Sequence, residues 1–208
     1  MPKHDPSEKT KSEILTTAVR LFWEHGLDRV NIEDIVKEVG VTRGAFYHYF
    51  KSREALVSAV VDKIHLDNNP FVLAQKAEGL NALEKFRLAI NISIDFNEDK
   101  AVIVHEIRKA IDNPIFFKSD FLSQMNVLTP FLEELLIEGN KDGSMSTPYP
   151  KQAAQAITLL FGTWISPLLF PVSDKEFEDK VSFLELFSNL IGVPVIDSQL
   201  KERFLKTD

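Results

Sequence analysis

Apolar residues recur at helical spacing from near the start of the chain. Ile14, Leu15, Ala18, Leu21 and Phe22 share one face of a helix. Ahead of them Asp5, Pro6 and Glu8 supply a cap, a proline for the first helical position and a capping-box acid, and Gly26 marks the end. A second helix is predicted from the cap Asn31, with Asp34 completing the box, Val30 stapled over Ile35, and Ile32, Ile35, Val36 and Val39 as the buried stripe up to Gly40. The device repeats: Thr42 caps a third helix, Val41 and Phe46 staple it, and the chain continues through Tyr47 to Tyr49. Ser52 then caps a fourth helix carrying Leu56, Val57, Val60, Val61 and Ile64. Two short helices around a tight glycine turn are the arrangement of a helix-turn-helix, whose second member can enter a DNA major groove.

Farther along, Leu83, Phe86, Ile90 and Ile94 define one amphipathic helix, and Val102, Ile103, Ile107 and Ile111 a shorter one ending before Pro114. A longer helical stretch is predicted from about Ile115 to Gly139. Pro130 lies inside it, so either a new helix begins at Thr129 and Pro130 or one helix is kinked there. After Pro150, one wide apolar stripe runs through Ala153, Ala156, Ile157, Leu160, Phe161, Trp164 and Ile165, and another through Phe177, Val181, Leu184, Leu190 and Ile191. The pattern is all-α, with no alternating strand signal. The stretch from Gln152 to Ser173 carries no charge, but its glutamines, hydroxyls and two prolines favour a helix buried in protein over a membrane span.

Composition narrows the chemistry. The 208 residues contain no cysteine, which removes disulfides, thiolate metal sites and cysteine nucleophiles. The amino-terminal segment has no apolar signal-peptide region, so a cytoplasmic protein is expected. The formal charge of −7 is uneven: residues 1–64 hold ten basic and ten acidic side chains, and 65–208 hold fourteen and twenty-one. Three of the sixteen phenylalanines fall in the first part. Two regions with different jobs are indicated. Nucleophile elbows, phosphate loops, dinucleotide fingerprints and zinc-protease motifs are missing, and the five histidines do not share metal-ligand spacing, so neither an enzyme nor a metal or organic cofactor is expected.

The string from Ile14-Leu15-x-x-Ala18 through Gly26, followed by Ile32-x-Asp34-Ile35-Val36-x-x-Val39-Gly40-Val41-Thr42-Arg43-Gly44-Ala45-Phe46-Tyr47-x-Tyr49-Phe50-x-Ser52-Arg53, closely resembles the DNA-binding domain of TetR/AcrR-type transcriptional regulators. The resemblance implies a three-helix helix-turn-helix domain over 1–51, then a helical ligand-binding and dimerisation domain over 52–208, with Ser52 to about His65 as the connecting helix. Thr42 and Arg43 stand at the start of the recognition helix, where an Arg can contact guanine through two hydrogen bonds. Gly44 has no side chain to hold that helix start away from DNA. By resemblance, Tyr47 and His48 contact phosphates or nearby bases and Lys51 a phosphate, with Asn31 and Thr10 as weaker phosphate candidates.

The resemblance also implies that the last two wide stripes belong to dimer-forming helices, and that the protein is a ligand-responsive repressor on a palindromic operator in double-stranded DNA. The phenylalanine-rich second region suggests a largely apolar small-molecule effector, with His65, Phe86, His105, Phe117, Phe121, Phe161 and Trp164 as candidate contacts. The alternative is a helix-turn-helix protein whose second domain serves protein interaction or an unrecognised enzymatic role.

Overall fold

The computed structural model describes residues 6–99 and 110–206. The described residues are helical and without strands, and they form two compact units: one of residues 6–64 and 110–120, the other of 65–99 and 121–206. The cap residue Asp5 and the stretch carrying Val102, Ile103, His105 and Ile107 lie outside the described residues.

In the first unit, α1 (Pro6–His25) is followed by α2 (Ile32–Val39), α3 (Arg43–Tyr49) and α4 (Arg53–Asp67), the last three residues of which belong to the second unit. The expected caps are present. Asn31 Oδ1 accepts from the Asp34 N–H at 2.9 Å while Asp34 Oδ2 accepts from the Asn31 N–H at 2.9 Å, a reciprocal box. Gly40 closes α2 with φ +76°, a left-handed turn that a side chain rarely adopts. Thr42 Oγ1 accepts from the Ala45 N–H at 3.1 Å, and Ser52 Oγ from the Ala55 N–H at 3.1 Å. Burial then fixes the angles: Ile14, Ala18, Ile35, Phe46, Leu56 and Val57 are at most 1% exposed and form one cluster. Arg20 bridges Glu24 and Glu38, tying α1 to α2. Arg53 donates to the Leu27 carbonyl and, at 3.2 Å, to that of Val30, pinning the α1–α2 turn to the start of α4.

Helix α7 (Pro114–Ser123) begins in the first unit and ends in the second. The second unit further contains α5 (Pro70–Gln75), α6 (Ala82–Asp99), α8 (Thr129–Asp142), α9 (Pro150–Ile157), α10 (Asp174–Leu190) and α11 (Ser198–Lys206). Its core is built from Phe86, Leu132, Leu135, Leu136, Ile157, Val181 and Leu184 among others. A helix does begin at Thr129 with Pro130 in its first turn, but it is joined to α7 without a break. The backbone runs from α7 through a five-residue π-helical turn, Gln124–Leu128, directly into α8. A proline ring cannot donate and crowds the carbonyl four residues back, and the widened turn just before it accommodates both effects. Thr129 reinforces the turn, its N–H and its hydroxyl both donating to the Gln124 carbonyl.

A second π segment, Thr158–Trp164, follows α9, and the two segments meet through polar contacts. Thr129 Oγ1, its own proton given to the Gln124 carbonyl, accepts from the Thr158 hydroxyl at 3.0 Å, and a Cβ at Gly162 would lie 2.3 Å from Gln124 Oε1. The uncharged stretch thus breaks after Trp164, and among the described residues no helix is long and apolar enough to cross a membrane.

The start of α6 is held from α8 and the loop after it. Asp142 Oδ2 accepts from the Ala82 N–H at 2.9 Å, and Glu138 accepts from Lys85 Nζ at 2.6 Å and Gln75 Nε2 at 3.0 Å. The hydroxyl of Ser144 chiefly, with backbone N–H groups, holds the Asp142 carboxyl below the usual carboxylate range, and Lys85 chiefly does so for Glu138. A carboxyl depressed in the folded state contributes its stability fully above its unfolded value and loses it as pH falls through the folded one. Acidification from pH 7 to below about pH 4 is therefore expected to loosen the α5–α6–α8 packing. Urea unfolding should show a shallower loss for the double variant Glu138→Gln, Asp142→Asn than for the parent.

Two residues beyond Ser144, Ser146 meets Gly192, which sits at φ +76° and whose carbonyl accepts from the Ser146 N–H at 2.8 Å. A Cβ there would lie 1.9 Å from the Ser146 carbonyl oxygen. Gly192→Ala is expected to cost about 2–4 kcal/mol in denaturant unfolding, because strain and a backbone clash add.

Candidate nucleic-acid interface

Helix α3 presents its first residues outward because its opposite side is anchored by Phe46, which is fully buried. Thr42, Arg43, Gly44 and His48 are exposed on the free side, with Lys51 exposed just past its end. The Thr42 oxygen is used as the cap, which leaves its hydroxyl proton free to be donated. At Gly44 an added Cβ would meet nothing nearer than Thr42 Oγ1 at 3.9 Å, so the protein's own packing does not demand glycine there. What glycine provides is a bare helix start that another surface can approach closely.

Arg43 is held in place before any nucleic acid arrives. Its Nη1 lies 2.8 Å from Glu33 Oε1 of α2, and its guanidinium stands 5.7 Å from the centre of the Tyr47 ring. The Tyr47 hydroxyl chiefly, and the Glu33 carboxylate after it, raise its pKa further above an already high value, so the cation is permanent. Tyr47 is half-buried with its ring edge-on to Phe46 at 5.4 Å, and the His48 ring packs edge-on to Tyr49 at 5.2 Å. Lys51 Nζ donates to the carbonyls of Tyr47 and His48 at 3.2 and 3.3 Å, neutralising the exposed end of α3. The Asn31 side chain is spent on the α2 capping box, and Thr10 lies on the second turn of α1 in the same unit.

The long-range partners of Arg20, Arg43 and Arg53 carry no signal in the sequence pattern. Arg20 to Glu24 has the i, i+4 spacing of a helical ion pair, but its second partner Glu38 and the Arg53 clamp come from residues distant in the chain. Glu33 has no local signature as the counter-ion of Arg43.

The candidate effector contacts are less gathered. His65 Nδ1 lies 3.1 Å from Ser123 Oγ. Phe86 is 2% exposed beside Phe71, Phe121 is half-buried, and Phe161 packs edge-on to Phe204. The Trp164 ring contacts Phe183 and stands 4.9 Å from the ammonium of Lys180, bordering a hollow of about 670 Å³ that also touches Phe170. Phe117 belongs to the first unit and is 38% exposed, and His105 lies outside the described residues.

Comparison with known proteins agrees with the geometry of α2 and α3. The family described as bacterial regulatory proteins, tetR family, matches residues 14–60. The transcriptional regulator TtgR of Pseudomonas putida is 27% identical over 125 residues, covering 58% of this chain and 56% of that protein, so the chain spans little more than half the length of this relative. The transcriptional repressor KstR2 of Rhodococcus jostii is 30% identical over 152 residues, covering 69% and 72%. Among solved structures, RolR in complex with resorcinol superposes with a TM-score of 0.62 at 19% identity over 96% of this chain and 95% of that one. A TetR-family regulator from Pectobacterium atrosepticum gives 0.61 at 22% identity, over 90% and 96%.

Substitutions at α3 separate base reading from phosphate binding. Arg43→Ala is expected to lose about 1–3 kcal/mol of discrimination at one base position, whereas Lys51→Ala weakens all duplexes alike and lowers the salt slope by about 1. Glu33→Gln, which frees Arg43 and removes a negative charge from the interface, is expected to tighten binding to any duplex by up to about fivefold. Fluorescence anisotropy over a salt series distinguishes the three, and identical behaviour of the first two would refute the division of roles.

Proposed function

Because the chain belongs to the TetR family of bacterial transcriptional regulators, we propose that it acts as a homodimeric repressor, binding a palindromic operator and released from it by a small, largely apolar effector. The observation that carries the reading is the exposed face of α3, with Arg43 and Gly44 outward and Phe46 anchored behind them. The DNA contacts proposed are those of Thr42, Arg43, Gly44, Tyr47, His48 and Lys51, with Asn31 and Thr10 toward phosphates.

One recognition helix covers too few bases for useful affinity, and a two-fold dimer engages two half-sites about one DNA turn apart. The dimer surface proposed is the exposed stripe of α10, where Phe183, Leu186 and Leu190 are 48, 57 and 77% exposed. Their spacing puts them on one helix face, and a monomer in water has no use for such a stripe. A second copy is the occupant proposed.

For release, an effector held in the second unit must favour the DNA-incompetent state. Helix α4 is the natural carrier. One continuous helix bears Ser58, bonded to Ser119 in the first unit, and His65, bonded to Ser123 in the second. Linkage makes the effect reciprocal, so effector lowers operator affinity and operator lowers effector affinity by the same factor.

Sedimentation should give a dimer, and Leu186→Glu with Leu190→Glu a monomer. In the same variant, binding to the intergenic DNA beside the gene should fall at least about a hundredfold while weak binding to a shuffled duplex persists. Equal affinity of the parent for both duplexes, after any co-purified ligand has been stripped, would overturn the operator reading at that locus.

A further inference from the structure

A cavity of about 350 Å³ opens within the first unit where the end of α1, the turn after it and the middle of α4 come together. Its walls are Phe22, Val57, Val60, Val61, Ile64 and Phe116, of which the first four are at most 8% exposed. An apolar chamber of this size, with a few polar groups at the mouth, is the form that binds a small organic molecule.

The chemistry of the mouth selects among such molecules. Of the two carboxylates on the rim, Glu24 is engaged by Arg20 at 2.7 Å and Asp28 accepts from the Asn113 amide at 2.7 Å. The His25 ring leans toward Glu24 at 3.8 Å. Two rim groups are left over: among the described residues neither the Trp23 indole N–H nor the Arg29 guanidinium has a hydrogen-bond or ionic partner. Both are donors without acceptor capacity, and one is a permanent cation. Each rim carboxylate thus has a protein partner on one of its oxygens, and the two donors have none.

We propose that this cavity is a small-molecule site in the DNA-contacting unit itself, separate from any effector site in the second unit, and that it takes amphipathic organic anions. The apolar body fills the space between α1 and α4, and the carboxylate or comparable acceptor group meets Arg29 and Trp23 at the mouth. An occupant touches both the turn that leads into α2 and the helix that follows α3, so it braces the frame on which the recognition helix is mounted.

Trp23 is a built-in reporter. With Trp164→Phe, it is the remaining tryptophan, and its emission can be followed in the full-length protein during titration with 4-cyclohexylbutyrate, which has an apolar body, a carboxylate and no absorbance of its own. A saturable change is expected, at least about tenfold tighter than for 4-cyclohexylbutylammonium, whose body is the same and whose charge is opposite. Arg29→Gln, at an exposed position, should weaken the carboxylate at least about tenfold and not weaken the ammonium compound, whose like charge it no longer repels. Val60→Phe should abolish both by filling the chamber.

No saturable change, equal binding of the two compounds, or carboxylate binding unaltered by Arg29→Gln would each overturn the proposal. The last criterion holds even if Val60→Phe fails to fold. Because the readout is the indole and not DNA, the result stands apart from the operator experiment, and either can fail without the other.

Discussion

Helices of eight and seven residues are too short to persist in water by their own hydrogen bonds, since nucleation is costly and few bonds follow it. Everything the first unit does depends on overcoming that constraint at α2 and α3. Reciprocal capping by Asn31 and Asp34 satisfies donors at the start of α2, Thr42 does the same for α3, and Gly40 turns the chain between them. Ile35 and Phe46 then lock the pair into the shared core with Ile14, Ala18 and Leu56. The caps set where each helix begins, and the core sets their mutual angle. Only with both fixed does the free side of α3 become a definite surface with Arg43 and Gly44 at its leading end.

That dependence is also why the first unit was legible in the sequence. Caps are local signals: Asn31 with Asp34, Thr42 with Ala45, Ser52 with Ala55 all lie three residues apart, and the buried stripes repeat at helical spacing. What was not legible is contact between residues far apart in the chain. Glu33 as the partner of Arg43, and Arg53 reaching back to the Leu27 and Val30 carbonyls, follow from how the helices are arranged and leave no trace in spacing. Lys180 makes the same point in the second unit. It lies on the face shared by Phe177 and Leu184, but its charge speaks against burial, and it is nonetheless 8% exposed, donating to the Trp164 carbonyl between the Trp164 and Phe170 rings.

Pro130 shows a different limit. A proline within a helical pattern admits a break, a kink or a fresh start, and the choice rests on whether the preceding turn can widen. Here it does, because Thr129 supplies a second donor to the Gln124 carbonyl and Thr158 meets it from the other π segment, while the absence of a side chain at Gly162 leaves room for Gln124. The π turn is therefore a joint property of two segments 29 residues apart at the bonded threonines, which a reading along one segment cannot supply. The effector candidates suffer likewise. Phe86 and Phe161 have the same apolar chemistry, but the first is sealed in the core and the second is half-exposed against Phe204.

The interface is best understood as an exchange of partners. A basic residue facing solvent alone would attract any phosphate, and a helix bearing several such residues would bind DNA strongly and without selection. On this chain the main cations of α3 are already occupied, Arg43 by Glu33 and the Tyr47 ring, and Lys51 by two carbonyls at the helix end. For these two cations each proposed contact with DNA replaces an internal one, so the net gain is small unless the new geometry is good. A phosphate offers Lys51 a full charge for two partial ones. A guanine edge offers Arg43 two aligned acceptors in place of one carboxylate, and a mismatched base offers less than it gives up. The net-zero charge of the first 64 residues fits the same principle. On the function proposed above, affinity is restrained at the level of the single unit, which leaves a second copy and the operator sequence to supply it.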